Sequence, residues 1–181
     1  MMGSFLKNIN SSWTLFLDRD GVINKRLVDD YVKRWDEFEF LPGVLESMAV
    51  FSKLFGKIIV VTNQQGVGKG WMTESELNEI NQKMIENIEE AGGRVDGVYY
   101  CTDLKNKPGN CRKPSTTLFE RARHDFPEID PSKSIMAGDS QSDIDFGRNA
   151  GMYTVFIGRE NSRANVCFSD LKSFAGKLIR Q

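Results

Sequence analysis

The residues most able to do chemistry in this chain are acidic, and they fall where apolar runs stop. Thr14-Leu15-Phe16-Leu17 leads into Asp18-Arg19-Asp20-Gly21, Ile58-Ile59-Val60-Val61 into Thr62-Asn63, and Ile135-Met136-Ala137 into Gly138-Asp139, with Asp143 and Asp145 just beyond. If those runs are strands converging on one crevice, Asp18, Asp20 and Asp139 come close together, and unpaired carboxylates at such a distance repel strongly. A divalent cation relieves that repulsion. All-oxygen donors select a hard ion, and Mg²⁺ is favoured where a phosphate completes its shell. One Asp after a strand is an ordinary turn former or helix cap; the set, with Thr62 and Lys113 alongside, reads as a site.

Spacing excludes several other motifs. Asp18, Asp20 and Gly21 begin like a calcium loop, but Val22 stands where an oxygen ligand is needed and the glycine comes two residues early. Gln65-Gly66-Val67-Gly68-Lys69-Gly70 looks like a phosphate-cradling loop, yet Asn63 occupies its first glycine position and Gly70 follows Lys69 where Ser or Thr is required. Cys101 and Cys111 offer two sulfurs to a zinc ion, with Asp103 as a third donor. Tetrahedral zinc wants four ligands, and the only histidine, His124, falls in a predicted helix as an exposed residue. The same helical setting removes His124 from a Ser-His-Asp reading.

The elements that must position these residues alternate along the chain. Short β-rich runs are predicted at Thr14 to Leu17, Lys57 to Thr62, Gly97 to Cys101, Ser134 to Ala137, Tyr153 to Ile157 and Val166 to Phe168. Helices are predicted over Gly43 to Leu54, Thr73 to Ala91, Ser115 to Phe126, Ser140 to Ala150 and after Ser169. The second of these opens on Thr73 and Glu76 spaced as a capping box and stops at Gly92-Gly93. Continuous apolar strands separated by helices imply a parallel sheet covered on both faces. The expected fold is therefore α/β, a doubly wound, Rossmann-like sheet whose ligands sit at the carboxyl ends of the strands. No linker or repeat divides residues 1–181, which are read as one domain. From Asp18 to Thr62, and again from Thr62 to Lys113, the chain has length for one helix and one strand, which leaves no room for a large cap domain.

Composition narrows the partners. With 24 Lys+Arg against 25 Asp+Glu and a net charge of -1, the 181-residue chain has no global electrostatic pull toward nucleic acid or anionic membrane. No apolar run is long enough to span a bilayer, and the first residues lack a secretory pattern, so a cytoplasmic location is expected. Three cysteines, Cys101, Cys111 and Cys167, cannot all pair, which is read as reduced thiols in a reducing compartment, with Cys167 in the core.

The order Asp18-x-Asp20-Gly21, Thr62-Asn63, Lys113, Gly138-Asp139 with Asp143 resembles the four motifs of the haloacid dehalogenase superfamily of phosphotransferases. Leu17 to Asn24, Phe40-Leu41-Pro42-Gly43-Val44, Thr62-Asn63-Gln64-Gln65-Gly66, Val98-Tyr99-Tyr100-Cys101 and Cys111-Arg112-Lys113-Pro114 are similar to one branch of it, the D-glycero-D-manno-heptose 1,7-bisphosphate phosphatases and related histidinol phosphatases. The resemblance covers roughly Thr14 to Arg159. It implies that Asp18 is the nucleophile forming an aspartyl-phosphate, that Asp20 is the acid and base with its carboxyl turned from the metal, and that Thr62 and Lys113 hold the phosphoryl group. It also implies Mg²⁺ held by Asp18, Asp139 and the Asp20 carbonyl, Asp143 behind them, and substrate contacts from Asn63 and Arg112. A distal phosphate would need a further cation, for which Lys69, Lys25 and Arg26 are available. The branch commonly holds zinc through Cys-x-His and Cys-x-Cys pairs; here these read Cys101-Thr102-Asp103 and Gly109-Asn110-Cys111, so zinc is not expected.

The expected function is Mg²⁺-dependent hydrolysis of a small phosphorylated sugar, with heptose 1,7-bisphosphate first and histidinol phosphate as the alternative. A polynucleotide 3′-phosphatase would need a basic stripe that the dispersed Lys and Arg do not form. A non-catalytic phosphate-binding regulatory module is at odds with the intact Asp18 and Asp20 pair.

Overall fold

The computed structural model describes residues 3–161 and 163–180. Six parallel strands form its sheet: β1 (Thr14–Leu17), β2 (Lys57–Asn63), β3 (Gly97–Cys101), β4 (Ser134–Gly138), β5 (Tyr153–Ile157) and β6 (Val166–Phe168). Their order is β3-β2-β1-β4-β5-β6, so the chain winds outward from β1 in one direction and then returns to wind outward from β4 in the other. The reversal lies between β1 and β4, and in such sheets a crevice opens there at the carboxyl ends. The doubly wound sheet expected from sequence is the one that forms.

Alternation along the strands makes the two layers. Leu15, Leu17, Ile58, Val60, Ile135 and Ala137 face α1 (Val44–Leu54), α3 (Glu74–Glu90) and α6 (Leu171–Leu178), where Met48, Phe51, Met84, Ile88 and Phe174 pack on them. Phe16, Ile59, Val61 and Met136 face the other way, onto Leu118, Phe119 and Ala122 of α4 (Thr117–Asp125) and Phe146 of α5 (Gln141–Asn149). Both faces of the central strands are thus dry. Each of the larger side chains contributes about 1.5–3 kcal/mol relative to remaining exposed, and this burial holds the strand ends in register.

Helix starts follow the local chemistry. Thr73 accepts from the Glu76 amide while the Glu76 carboxylate accepts from the Thr73 amide, the capping box read from the sequence. Ser140 and Asp143 cap α5 in the same way. Residues between β1 and α1 add only a single turn at Trp35–Glu37, where Trp35 stacks on Phe38 and Phe38 meets Phe40 edge-on against the core. No cap domain interrupts the described residues. The Gly-rich segment after β2 becomes one short helix, α2 (Gln65–Gly68). Among the described residues no helix is long and apolar enough to cross a membrane.

Candidate active site

Register brings the acids together. Leu17 of β1 pairs with Ala137 of β4 and Val60 of β2, so Asp18 follows β1 between the ends of its two neighbours, and its amide donates to the Ala137 carbonyl at 3.0 Å. Asp139 follows β4 immediately. Gly21 lets the first loop fold back over this point: its φ is +94°, and a Cβ there would lie 2.0 Å from Asp139 Oδ2. Gly138 is required too, since a Cβ would lie 2.2 Å from the Asp143 side chain. Asp18, Asp139 and Asp143 offer carboxylate oxygens within 4.8 Å of one another.

Two cations answer this charge. Lys113, buried with Asp18 and Asp143, places its ammonium 2.7 Å from Asp18 Oδ1 and 2.6 Å from Asp143 Oδ1, and donates to the Val61 carbonyl at 2.8 Å. Burial alone would lower the Lys113 pKa, but Asp143 and Asp18 outweigh it and hold the ammonium charged. Arg26 approaches from the mouth. Its Nη2 lies 2.8 Å from Asp139 Oδ1, 3.1 Å from the Asp20 carbonyl and 3.8 Å from Asp18 Oδ2. A guanidinium therefore sits among three oxygen donors that suit a hard cation, and this all-oxygen set fits such an ion. Burial, then the negative charge of Asp143, raises Asp18 to about 7 against the opposing pull of Lys113. Burial likewise raises Asp139 to about 6, with Arg26 opposing it.

Asp20 faces the other way. Its carboxylate accepts from Gln64 Nε2 at 2.6 Å, Asn24 Nδ2 at 2.9 Å and Arg19 Nη2 at 3.2 Å, while only its backbone carbonyl turns toward Arg26. Burial works to raise its pKa, but Arg19 and the amide donors prevail and lower it. Arg19, fully buried, is itself anchored on Asn81 of α3 at 3.0 Å. Sequence reasoning gave no role to Arg19, Asn24 or Gln64; the adjacency of Gln64 to Thr62-Asn63 was the only available signal, because their convergence on Asp20 is tertiary.

The other sequence-selected residues line the same cleft of about 420 Å³, together with Asp18, Asp20 and Lys113. Thr62 is buried and its hydroxyl accepts from Gln64 at 2.9 Å. Asn63 is engaged on the Lys113 backbone, accepting from its amide at 2.9 Å and donating to its carbonyl at 3.3 Å, so it clasps the segment that carries Lys113. Arg112 lines the cleft with its Nη1 buried and without a hydrogen-bond partner. His124 is an exposed residue of α4, away from this cleft.

The cysteines correct the sequence reading. Cys101 and Cys111 are joined as a disulfide, with Cα atoms 5.6 Å apart, because β3 ends at Cys101 and the polar loop returns beside it. Spacing in sequence could not reveal that approach. Asp103 accepts from the Cys111 amide at 3.1 Å inside the same loop. Cys167 is half-buried, not core, since β6 is the sheet edge.

Comparison with known proteins agrees with this geometry. Residues 110–175 match a family model described as HAD-hydrolase-like. A D-glycero-alpha-D-manno-heptose-1,7-bisphosphate 7-phosphatase of Mycobacterium bovis is 36% identical over 170 residues, 90% of each chain. The corresponding beta-anomer enzyme of Helicobacter pylori is 34% identical over 78% of this chain and 81% of its own. A D,D-heptose 1,7-bisphosphate phosphatase of B. bronchiseptica, solved with magnesium and phosphate, superposes with a TM-score of 0.83 at 28% identity, covering 93% of this chain and 98% of that one. With strand-end acids at the switch point and relatives of this similarity along most of its length, the chain belongs to the haloacid dehalogenase superfamily of phosphatases, in the branch of the heptose-1,7-bisphosphate phosphatases.

Proposed function

We propose that this phosphatase hydrolyses the 7-phosphate of D-glycero-D-manno-heptose 1,7-bisphosphate through an aspartyl-phosphate on Asp18. The observation that carries the reading is the buried Asp18 carboxylate held 2.7 Å from the buried Lys113 ammonium at the base of a polar cleft also lined by Thr62. An ammonium has three donors. An incoming phosphate would take the one now on Asp18, leaving that carboxylate oxygen free to attack phosphorus while Lys113 and Thr62 hold the phosphoryl oxygens. As the Asp18 oxygen bonds to phosphorus, the bond to the sugar oxygen breaks and Asp20 supplies that oxygen with a proton. Water then attacks the acyl phosphate, Asp20 takes its proton, and inorganic phosphate leaves with Asp18 restored.

Asp20 is held ionised before substrate arrives, which suits the second step. For the first it must carry a proton, and a phosphate's negative charge beside it raises its pKa in that direction. Asp18, Asp139 and the Asp20 carbonyl would hold Mg²⁺, the position where Arg26 Nη2 stands among the same oxygens. Bound there, the ion would offset charge on the phosphoryl oxygens and on Asp18. Arg112, which lines the cleft and has a buried nitrogen without a hydrogen-bond partner, is the substrate-reading residue beside Lys113.

The test is a panel of phosphate monoesters assayed with Mg²⁺. Heptose 1,7-bisphosphate should be turned over ahead of histidinol phosphate and of a 3′-phosphorylated oligonucleotide, activity should vanish with EDTA and return with Mg²⁺, and Asp18→Asn should lose at least about 1000-fold in kcat. Phosphate release by Asp18→Asn at a wild-type rate would exclude the aspartyl-phosphate.

A further inference from the structure

A bisphosphate presents a second dianion at the far end of the sugar, and the cleft must meet it with a cation not already spent on protein carboxylates. Four basic side chains line the cleft: Arg26, Lys69, Arg112 and Lys113. Lys113 is committed to Asp18 and Asp143, and Arg26 to Asp139 and the Asp20 carbonyl. Lys25, adjacent in sequence, pairs with Glu39 at 3.4 Å and does not line the cleft. Arg112 directly precedes Lys113 on the chain, so its guanidinium serves groups near the scissile bond. Lys69 remains. It has no carboxylate partner among the described residues, and it enters from a different wall, at the end of α2.

Its position is built, not left to solvent. The Lys69 ammonium stands 4.2 Å from the centroid of the Trp71 ring and 5.8 Å from that of Tyr31, and the two rings meet edge-to-face at 5.9 Å. Trp71 is half exposed, an uncommon placement for so large an apolar ring, and Tyr31 lines the cleft itself. Aromatic faces hold an ammonium by their quadrupole without neutralising it, so the charge remains available to an anion. A carboxylate in the same place would cancel it.

We propose that Lys69, held at the cleft mouth by Trp71 and Tyr31, receives the second phosphate of the substrate and so selects bisphosphates over monophosphates, with Trp71 acting as its positioning residue. This rests on the reading of the chain as a sugar-bisphosphate phosphatase.

The experiment compares heptose 1,7-bisphosphate with heptose 7-phosphate, which carries the scissile group alone, in the wild-type enzyme and in Lys69→Met, Lys69→Arg and Trp71→Ala. Methionine keeps the unbranched stem on the rings and removes only the charge. The wild type should prefer the bisphosphate. Lys69→Met should lower the ratio of the two kcat/KM values about 10- to 100-fold, through KM for the bisphosphate. Lys69→Arg should restore most of that ratio, and Trp71→Ala should lower it less. A Lys69→Met ratio within twofold of wild type, or equal losses of kcat on both substrates, would overturn the assignment of Lys69 while leaving the phosphatase reading intact. A wild type with no preference for the bisphosphate would overturn the substrate reading itself.

Discussion

Arg26 and Asp139 are joined by a 2.8 Å ion pair across the mouth of the acid cluster, and the same guanidinium nitrogen donates to the Asp20 carbonyl at 3.1 Å and stands 3.8 Å from Asp18 Oδ2. These oxygens have the character a hard divalent cation requires. A metal ion held by these oxygens, as proposed above, would compete with Arg26 for one place, and the arginine supplies positive charge to the carboxylates there.

Removing that competitor should tighten metal binding. Because Arg26 is half exposed, its pairing with Asp139 is screened and is worth on the order of 1 kcal/mol. Arg26→Ala is expected to bind Mg²⁺ about 3- to 10-fold more tightly than the wild type in calorimetric titration without substrate. Weaker binding by the variant would mean that Arg26 helps to hold the ion.

Arg112 should separate substrate reading from chemistry. It lines the cleft beside Lys113 and has a buried nitrogen without a hydrogen-bond partner. Arg112→Ala should lower kcat/KM for the sugar phosphate by roughly 10- to 1000-fold, the scale of a lost charge-assisted contact of about 1.5–3 kcal/mol or more. Hydrolysis of p-nitrophenyl phosphate should fall much less. Equal losses on both would assign Arg112 to the chemical step.

The acid cluster should make the metal-free protein less stable as pH rises. Asp18 is raised to about 7 and Asp139 to about 6, mainly by burial. Unfolded Asp releases its proton near about pH 4, so above that the folded chain retains protons that the unfolded chain has lost, and stability declines until the folded values are passed. Asp20 has the opposite sign, but its lowered pKa acts only below about pH 4. Thermal melts in EDTA should show Tm falling between about pH 5 and 7.5, and Mg²⁺ should lessen or reverse the decline by favouring the ionised carboxylates. A metal-free Tm that rises across this range would show that the cluster is not the dominant titration.

The Cys101–Cys111 bridge closes a loop of sequence separation 10 that ends at Arg112-Lys113. A loop of that length contributes roughly 2–3 kcal/mol in the chain-entropy account. Dithiothreitol, or Cys111→Ser, should lower Tm by on the order of 5–10 °C and reduce kcat/KM, because the loop anchors the two cations. Melts unaltered by reductant would indicate that the loop is held by its other bonds, such as Asp103 to the Cys111 amide.

What the sequence determined by itself was local: which stretches are strands, where α3 and α5 begin, and which polar residues follow each strand. The short apolar runs within β1 and β2, a Thr73 to Glu76 capping box and Asp after Leu17 are properties of neighbouring residues, and the physics that reads them is short-range. The parallel sheet follows because such strands must be buried on both faces. The tertiary structure decided which groups meet. Arg26 closes on Asp139 across 113 residues, Arg19 and Gln64 converge on Asp20, Asn63 clasps Lys113, and Cys101 reaches Cys111. A long flexible side chain in a loop has many destinations in an extended chain, and only the packed sheet, by fixing where the strand ends lie, selects one.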